Sequence, residues 1–188
     1  VLNLTVPTLE AGLVQWMVVS CISSLGREKP LARWLLHNPG VVLGKRVVDV
    51  GCGCGIGAIA AKLAGAAHVV ACDNDEDALL ITQANAELNG ATLDYAADVA
   101  DLPADFDLVL MADVLYDKSN YPLLQLVKKL ADQVIVADSR IGAIDDDDFQ
   151  LFHTAEALTY PNRGEFDEFK DVRFFRAFSP LAVGQRQR

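Results

Sequence analysis

From about residue 30 onward, short aliphatic runs alternate with stretches whose apolar residues recur at helical spacing, a pattern that predicts a sheet built from strand–helix units. Pro30 opens a helix through Leu31, Trp34 and Leu35, and Asn38, Pro39 and Gly40 end it. Arg46 to Val50 reads as a strand, Gly51 to Gly57 as a turn, and Ile59, Ala60 and Leu63 as one face of a helix that stops at Gly65. A second strand at His68 to Cys72 precedes a helix from Asp75 to Asn89, with Ala78, Ile81, Ala84 and Leu88 as its apolar face. Further strands are expected at Thr92 to Ala96, Leu108 to Met111 and Val134 to Ala137, with Ser119 capping a helix through Leu124, Val127 and Leu130. Asp145 to Asp148 reads as the dipole-favoured start of a helix containing Phe149 and Leu151. Ala155 to Tyr160 and Asp171 to Phe178 then read as two last strands, separated by too few residues for a crossover and so antiparallel.

A length of 188 residues points to one domain. Residues 1–42 read as a helical cover segment, 43–178 as the core and 179–188 as a fraying tail. Within the cover, Leu13 to Ile22 is apolar but too short to span a bilayer, so no membrane association is expected. Hydrophobic residues make up 52% and charged ones 22%, enough apolar material for a core and too much for a disordered chain. The net charge of -10 sits in the middle: residues 41–139 carry 6 basic and 15 acidic side chains. That field repels polyanions and gathers cations, so nucleic acid is not expected as a partner. Cysteines 21, 52, 54 and 72 are too sparse for a disulfide scaffold and lack paired zinc spacings. They read as packing thiols in a reducing, cytoplasmic setting, with no metal.

The chemistry concentrates in Asp49-Val50-Gly51-Cys52-Gly53-Cys54-Gly55-Ile56-Gly57, where the first strand meets its helix. Gly51, Gly53 and Gly55 let a ligand approach the backbone, and the helix start offers unpaired N–H groups. Gly53, Gly55 and Ala58 also satisfy a dinucleotide fingerprint, so a dehydrogenase remains a rival. Asp49 argues against it: a carboxylate at the mouth of the turn suits an ammonium group and repels a pyrophosphate. S-adenosyl-L-methionine, with an ammonium, a sulfonium and no phosphate, fits. Asp73, closing the second strand, can accept both ribose hydroxyls, with Asn74 beside it, and Asp98 can accept from the adenine amino group.

Asp49 to Gly55, Asp73 and Asp98 at these separations resemble the class I, seven-β-strand S-adenosylmethionine-dependent methyltransferases over residues 31–178. Asp113-Val114-Leu115-Tyr116 further resembles the D-x-x-Y/F motif of the protein-lysine methyltransferase group that includes the electron-transfer-flavoprotein β-subunit enzyme and bacterial nicotinamide N-methyltransferase-like proteins. The tryptophan- and glycine-rich segment usual upstream in that group is replaced by Gly26-Arg27-Glu28-Lys29-Pro30, with Trp16 as a substitute. The resemblance implies an α/β, Rossmann-like doubly wound seven-stranded sheet in three αβα layers, mostly parallel with an antiparallel carboxyl-terminal pair. It also implies methylation of a protein lysine, with electron-transfer flavoprotein β-subunit as a named partner, release of S-adenosyl-L-homocysteine, and Asp113 and Tyr116 at the reacting amine. Alternatives are a small-molecule amine or pyridine N-methyltransferase and a catalytically silent cofactor-binding module. Asp138, Ser139 and Arg140 read as a surface turn after the fifth strand, with Arg140 able to touch a partner's carboxylate.

Overall fold

Val47, Val48, Asp49 and Val50 form an unbroken buried run, as a strand must when both of its faces are covered. In the computed structural model, which describes residues 29–157 and 171–179, this strand is β1 (Arg46–Val50). With β2 (His68–Cys72), β3 (Asp94–Ala96), β4 (Phe106–Ala112), β5 (Ala131–Asp138), β6 (Gln150–Glu156) and β7 (Asp171–Phe178) it forms one sheet in the order β3-β2-β1-β4-β5-β7-β6. The first five strands run parallel, with Val48 in register with Val70 on one side and Val109 on the other. β7 is antiparallel to both β5 and β6, as expected for the last pair.

Helices α1 (Lys29–His37), α2 (Ile56–Leu63), α3 (Glu76–Leu88) and α4 (Pro122–Leu130) cover the two faces. Leu31, Leu35, Ile59, Ala86 and Phe174 belong to one apolar layer, and Val109, Met111, Leu124, Val127 and Phe175 to the other. The architecture is therefore the expected three-layer αβα sheet.

Four local expectations fail, each for a physical reason. Asp145 to Asp148 does not start a helix: Lys128 Nζ on α4 draws in Asp146 at 2.6 Å and Asp148 at 2.8 Å, and the chain enters β6 at Gln150, five residues before the expected strand. Ser119 does not cap α4. It lies in a 3₁₀ turn, Lys118–Asn120, and its N–H donates to Asp117 at 2.9 Å, while α4 begins at Pro122. On α3 the buried residues are Thr82, Asn85 and Ala86; of the expected face Ile81 packs against the core, whereas Ala84 and Leu88 are exposed. Finally, Ser179 is buried and donates its N–H to the Asp132 carbonyl at 2.8 Å, so no fraying starts there. The expectations for Trp16, Leu13 to Ile22 and residues 180–188 lie outside the described residues.

Candidate functional site

Chain connections leave β1 toward β2 and β3 on one side and serve β4 and β5 on the other, so a crevice opens at the carboxyl ends of β1 and β4. The glycine turn lies across it. Gly51 has φ 70°, and a Cβ there would stand 2.6 Å from the Val114 side chain, so both backbone and neighbour require glycine. Gly53 is held from two sides: its N–H donates to Asp73 Oδ2 at 2.9 Å, and its carbonyl accepts from the Thr82 hydroxyl at 3.0 Å. Asn85 donates its side-chain N–H to the Cys54 carbonyl at 2.9 Å. Thr82 and Asn85 thus bind the loop carbonyls from the α3 side.

Asp49 is not at the mouth of the turn. It is 2% exposed and lies beneath it, with Oδ2 accepting from the Ala58 N–H at the start of α2 at 2.7 Å. Burial pushes its carboxyl up to about 7; the Ala58 bond opposes that shift and the charge of Asp73 adds to it. Asp73 stands at the end of β2, each oxygen accepting one backbone N–H, from Gly53 and from Asp75 (3.0 Å). A carboxylate has about four lone-pair sites, so each oxygen has capacity for a further donor. Asn74 and Asp98 are exposed, and Asp98 accepts from Ala100 N–H at 2.8 Å.

These acids share one electrostatic neighbourhood. The buried, free Cys72 thiol is pushed up to about 12, first by burial and then by Asp73, Asp98 and Asp49. Cys52 is also free, buried and raised. Three carboxylates around a glycine turn suit hydroxyl donors and a cation and oppose a polyphosphate. The donor set therefore fits a sulfonium nucleoside. Among the described residues, no three His, Cys, Asp or Glu side chains are grouped to hold a metal ion.

Across the crevice, Asp113 leaves β4 with φ 49°, and its Oδ1 accepts from both the N–H and the hydroxyl of Ser139, each at 3.2 Å. Tyr116 is 58% exposed, with the Arg140 guanidinium 4.8 Å over its ring. The Asp138-Ser139-Arg140 stretch is not a surface turn throughout. Asp138 is fully buried and accepts from Arg140 N–H at 2.7 Å and Leu115 N–H at 3.3 Å, and burial raises its carboxyl. Asp138 thereby joins the loops that follow β4 and β5. Sequence reasoning missed Thr82, Asn85, Asp138 and Ser139 as parts of the site. Their signals were polar residues three apart on an inward helix face, and an acid ending the wholly apolar run Val134 to Ala137.

This sheet order, parallel except at β7 and β6, is the Rossmann-like fold of class I methyltransferases. The chain belongs to the ribosomal protein L11 methyltransferase (PrmA) family, whose model matches residues 32–141. It is 47% identical over 92 residues to the electron transfer flavoprotein beta subunit lysine methyltransferase of Danio rerio, covering 47% of this chain and 36% of that protein. The chain spans little more than a third of the length of that relative, and 39% of its Xenopus laevis counterpart. Two solved structures share the fold. The ribosomal protein L11 methylase of Lactobacillus delbrueckii subsp. bulgaricus has TM-score 0.62 and 24% identity, covering 80% of this chain and 78% of that one. The magnesium protoporphyrin IX methyltransferase of Synechocystis PCC 6803, solved with bound S-adenosylmethionine, has TM-score 0.61 and 23% identity, covering 80% and 76%. No helix among the described residues is long and apolar enough to cross a membrane.

Proposed function

We propose that this chain is an S-adenosylmethionine-dependent N-methyltransferase acting on a protein lysine, with electron-transfer flavoprotein β-subunit as the first candidate substrate. The observation that carries this reading is the pairing of two walls at one sheet edge: Asp73 and Asp98 beside the glycine turn, and Asp113 with Tyr116 after β4. The lysine methyltransferases named above match this chain over about half its length, which supports the choice of lysine.

S-adenosylmethionine supplies, when bound, a methyl group on a sulfonium centre. Asp73 would accept the ribose hydroxyls, and Asp98, with Asn74 near it, would accept at the adenine end. Asp49 would act from beneath the loop, its ionised form favouring a cation in the crevice. A free lysine is neutral in only about 0.04% of molecules at pH 7, a cost of roughly 5 kcal/mol. Asp113 does not lower that cost, because a nearby carboxylate favours the ammonium form. Its work is capture and orientation. After the proton leaves to water, Asp113 and the Tyr116 hydroxyl accept the remaining N–H bonds and aim the lone pair along the line of displacement.

The test is incubation of the protein with methyl-labelled S-adenosylmethionine and cell lysate, followed by mass spectrometry. Methyl-lysine in protein is the expected product. Label confined to soluble metabolites, or cofactor binding with no transfer at all, overturns the lysine reading.

A further inference from the structure

One carboxylate beneath the glycine turn and one beside it make an unequal pair. Asp49 is 2% exposed and closed in by α2: Oδ2 accepts the Ala58 N–H at 2.7 Å, and Gly57 comes so near that a Cβ there would stand 2.6 Å from the same oxygen. Asp73, half-buried at the end of the neighbouring strand β2, accepts the Gly53 N–H at 2.9 Å and the Asp75 N–H at 3.0 Å. The titratable groups that bear on Asp49 are Asp73 and the thiols of Cys52 in the turn and Cys72 on β2. β2 and β4 place Ala71 and Leu110 in register with it, and α2 meets it with backbone. Both thiols are raised and stay neutral, and among the described residues Asp73 is the charge that acts on Asp49.

A carboxyl enclosed in this way is costly to ionise, because water no longer solvates it and a like charge stands close. The single backbone donor from Ala58 offsets part of that cost. Burial pushes the group up to about 7, so near neutrality a substantial share of Asp49 holds its proton. A ligand seated on the turn changes this balance chiefly through its charge. Asp49 is already buried, so further contact adds little to its desolvation. A neutral nucleoside leaves the proton where it is, whereas a cation reaches Asp49 as the charge of Asp73 does, with the opposite sign.

We propose that Asp49 exchanges its proton for the cofactor's positive charge: binding of S-adenosylmethionine over the glycine turn ionises the buried carboxyl, and the proton leaves to bulk water. This rests on the cofactor reading above and adds to it a proton equilibrium. S-adenosylmethionine carries one net positive charge, its ammonium and sulfonium against its own carboxylate. One O–H bond ionises as one net cation arrives, so the charge beneath and above the turn is the same before and after binding. The proton thus spares the turn two neighbouring carboxylate charges until the cation that balances them is in place.

The experiment is calorimetric titration of the full chain at pH 6.5 in two buffers of different ionisation enthalpy, which counts the protons released on binding. That pH lies below the ordinary α-amino range of about 7.7–8.0, so the cofactor's own amine stays an ammonium throughout. A nearby opposite charge lowers a carboxyl's pKa by about one unit or more. S-adenosylmethionine is therefore expected to release about half a proton, and its affinity to rise about fourfold from pH 5.5 to pH 7. 5′-Methylthioadenosine, a related nucleoside without the charged groups, is expected to release none. Asp49→Asn keeps an acceptor for the Ala58 N–H and cannot ionise, so it should bind S-adenosylmethionine with no proton release. Should that variant fail to fold, infrared difference spectra of the wild type decide: S-adenosylmethionine should remove the C=O band of a protonated carboxyl, and 5′-methylthioadenosine should leave it. No release by the wild type, equal release with both ligands, or release that survives in Asp49→Asn overturns the exchange alone, because the cofactor still binds. No binding of S-adenosylmethionine overturns the cofactor reading together with the exchange.

Discussion

Ser139 gives both of its hydrogen-bond donors to a single oxygen of Asp113, its N–H and its hydroxyl each 3.2 Å from Oδ1. Asp113 is the one described non-glycine residue with positive φ, at 49°, and a residue held there by its neighbours is a common way of aiming a side chain at a site. The end of β5 thus sets the direction of a carboxylate that leaves β4. Ser139→Ala keeps the N–H and loses the hydroxyl. A hydrogen bond to a charged group contributes about 1.5–3 kcal/mol, so kcat should fall at least tenfold while the affinity for S-adenosylhomocysteine is unchanged. Steady-state kinetics beside calorimetric titration separate the two. A variant with wild-type kcat would show that the hydroxyl does not position Asp113.

Thr82 bears on the other wall. Its hydroxyl donates to the Gly53 carbonyl, whose N–H is already committed to Asp73, so Gly53 is fixed on both sides. Thr82→Val keeps the shape and the β-branch but leaves that carbonyl without its donor. We expect a stability loss of about 1–2 kcal/mol and several-fold weaker binding of S-adenosylhomocysteine. Melting and titration of the same sample decide it: a lowered melting point with unaltered affinity would limit Thr82 to a structural role.

Thr82 and Ser139 also show what in this sequence was legible. β1 and β2 occupy the bounds read from aliphatic runs, because strands buried on both faces need nothing except apolar residues, and β7, exposed at Asp171, Arg176 and Phe178, also keeps its expected bounds. The glycine turn after β1 and the positions of Asp73 after β2 and Asp113 after β4 were legible because strand ends are marked locally. The buried face of α3 was not. Hydrophobic spacing selected Ala78, Ile81, Ala84 and Leu88, of which Ile81 packs against the core and Ala84 and Leu88 are exposed. Thr82 and Asn85 instead face inward to meet carbonyls of the loop some thirty residues earlier, a demand that no helical periodicity expresses. Asp145 to Asp148 misled for a similar reason: the acids answer Lys128 on α4, which local propensity does not see. Asp49, expected at the mouth of the glycine turn, lies beneath it, since a strand-end acid can point out of the crevice or under it.

Asp49 makes stability depend on pH in a direction opposite to that of a salt-bridged acid. Its folded pKa of about 7 lies above the unfolded value near 3.9, so the folded state holds the proton longer. The stabilisation is complete below about pH 4 and is lost as pH rises to 7, at most about 4 kcal/mol for a shift of some three units. Asp49→Asn removes this group from the titration. Urea unfolding at pH 5 and pH 8 should show a wild-type loss that the variant reduces, with a residual slope of the same sign from Asp138, also raised by burial. Equal losses in the two proteins would show that Asp49 does not titrate in this window.

Gly57 tests the same carboxylate from the side of the helix. A Cβ at this position would lie 2.6 Å from Asp49 Oδ2 and 3.1 Å from Cγ, closer than such atoms approach. The carboxylate cannot simply turn aside, because Oδ2 is bound to the Ala58 N–H. Alanine is worth about 1 kcal/mol more than glycine inside a helix, so propensity alone predicts stabilisation by Gly57→Ala. Overpacking costs about 1–3 kcal/mol and here should win, lowering the melting point and the cofactor affinity together, since α2 carries the end of the glycine turn. The cause is isolated by a double-mutant cycle. In an Asp49→Ala background the obstacle is gone, and Gly57→Ala should become neutral or mildly stabilising, a coupling of more than 1 kcal/mol. Additive losses would place the strain elsewhere in the turn and remove Asp49 from the account of why this position is glycine.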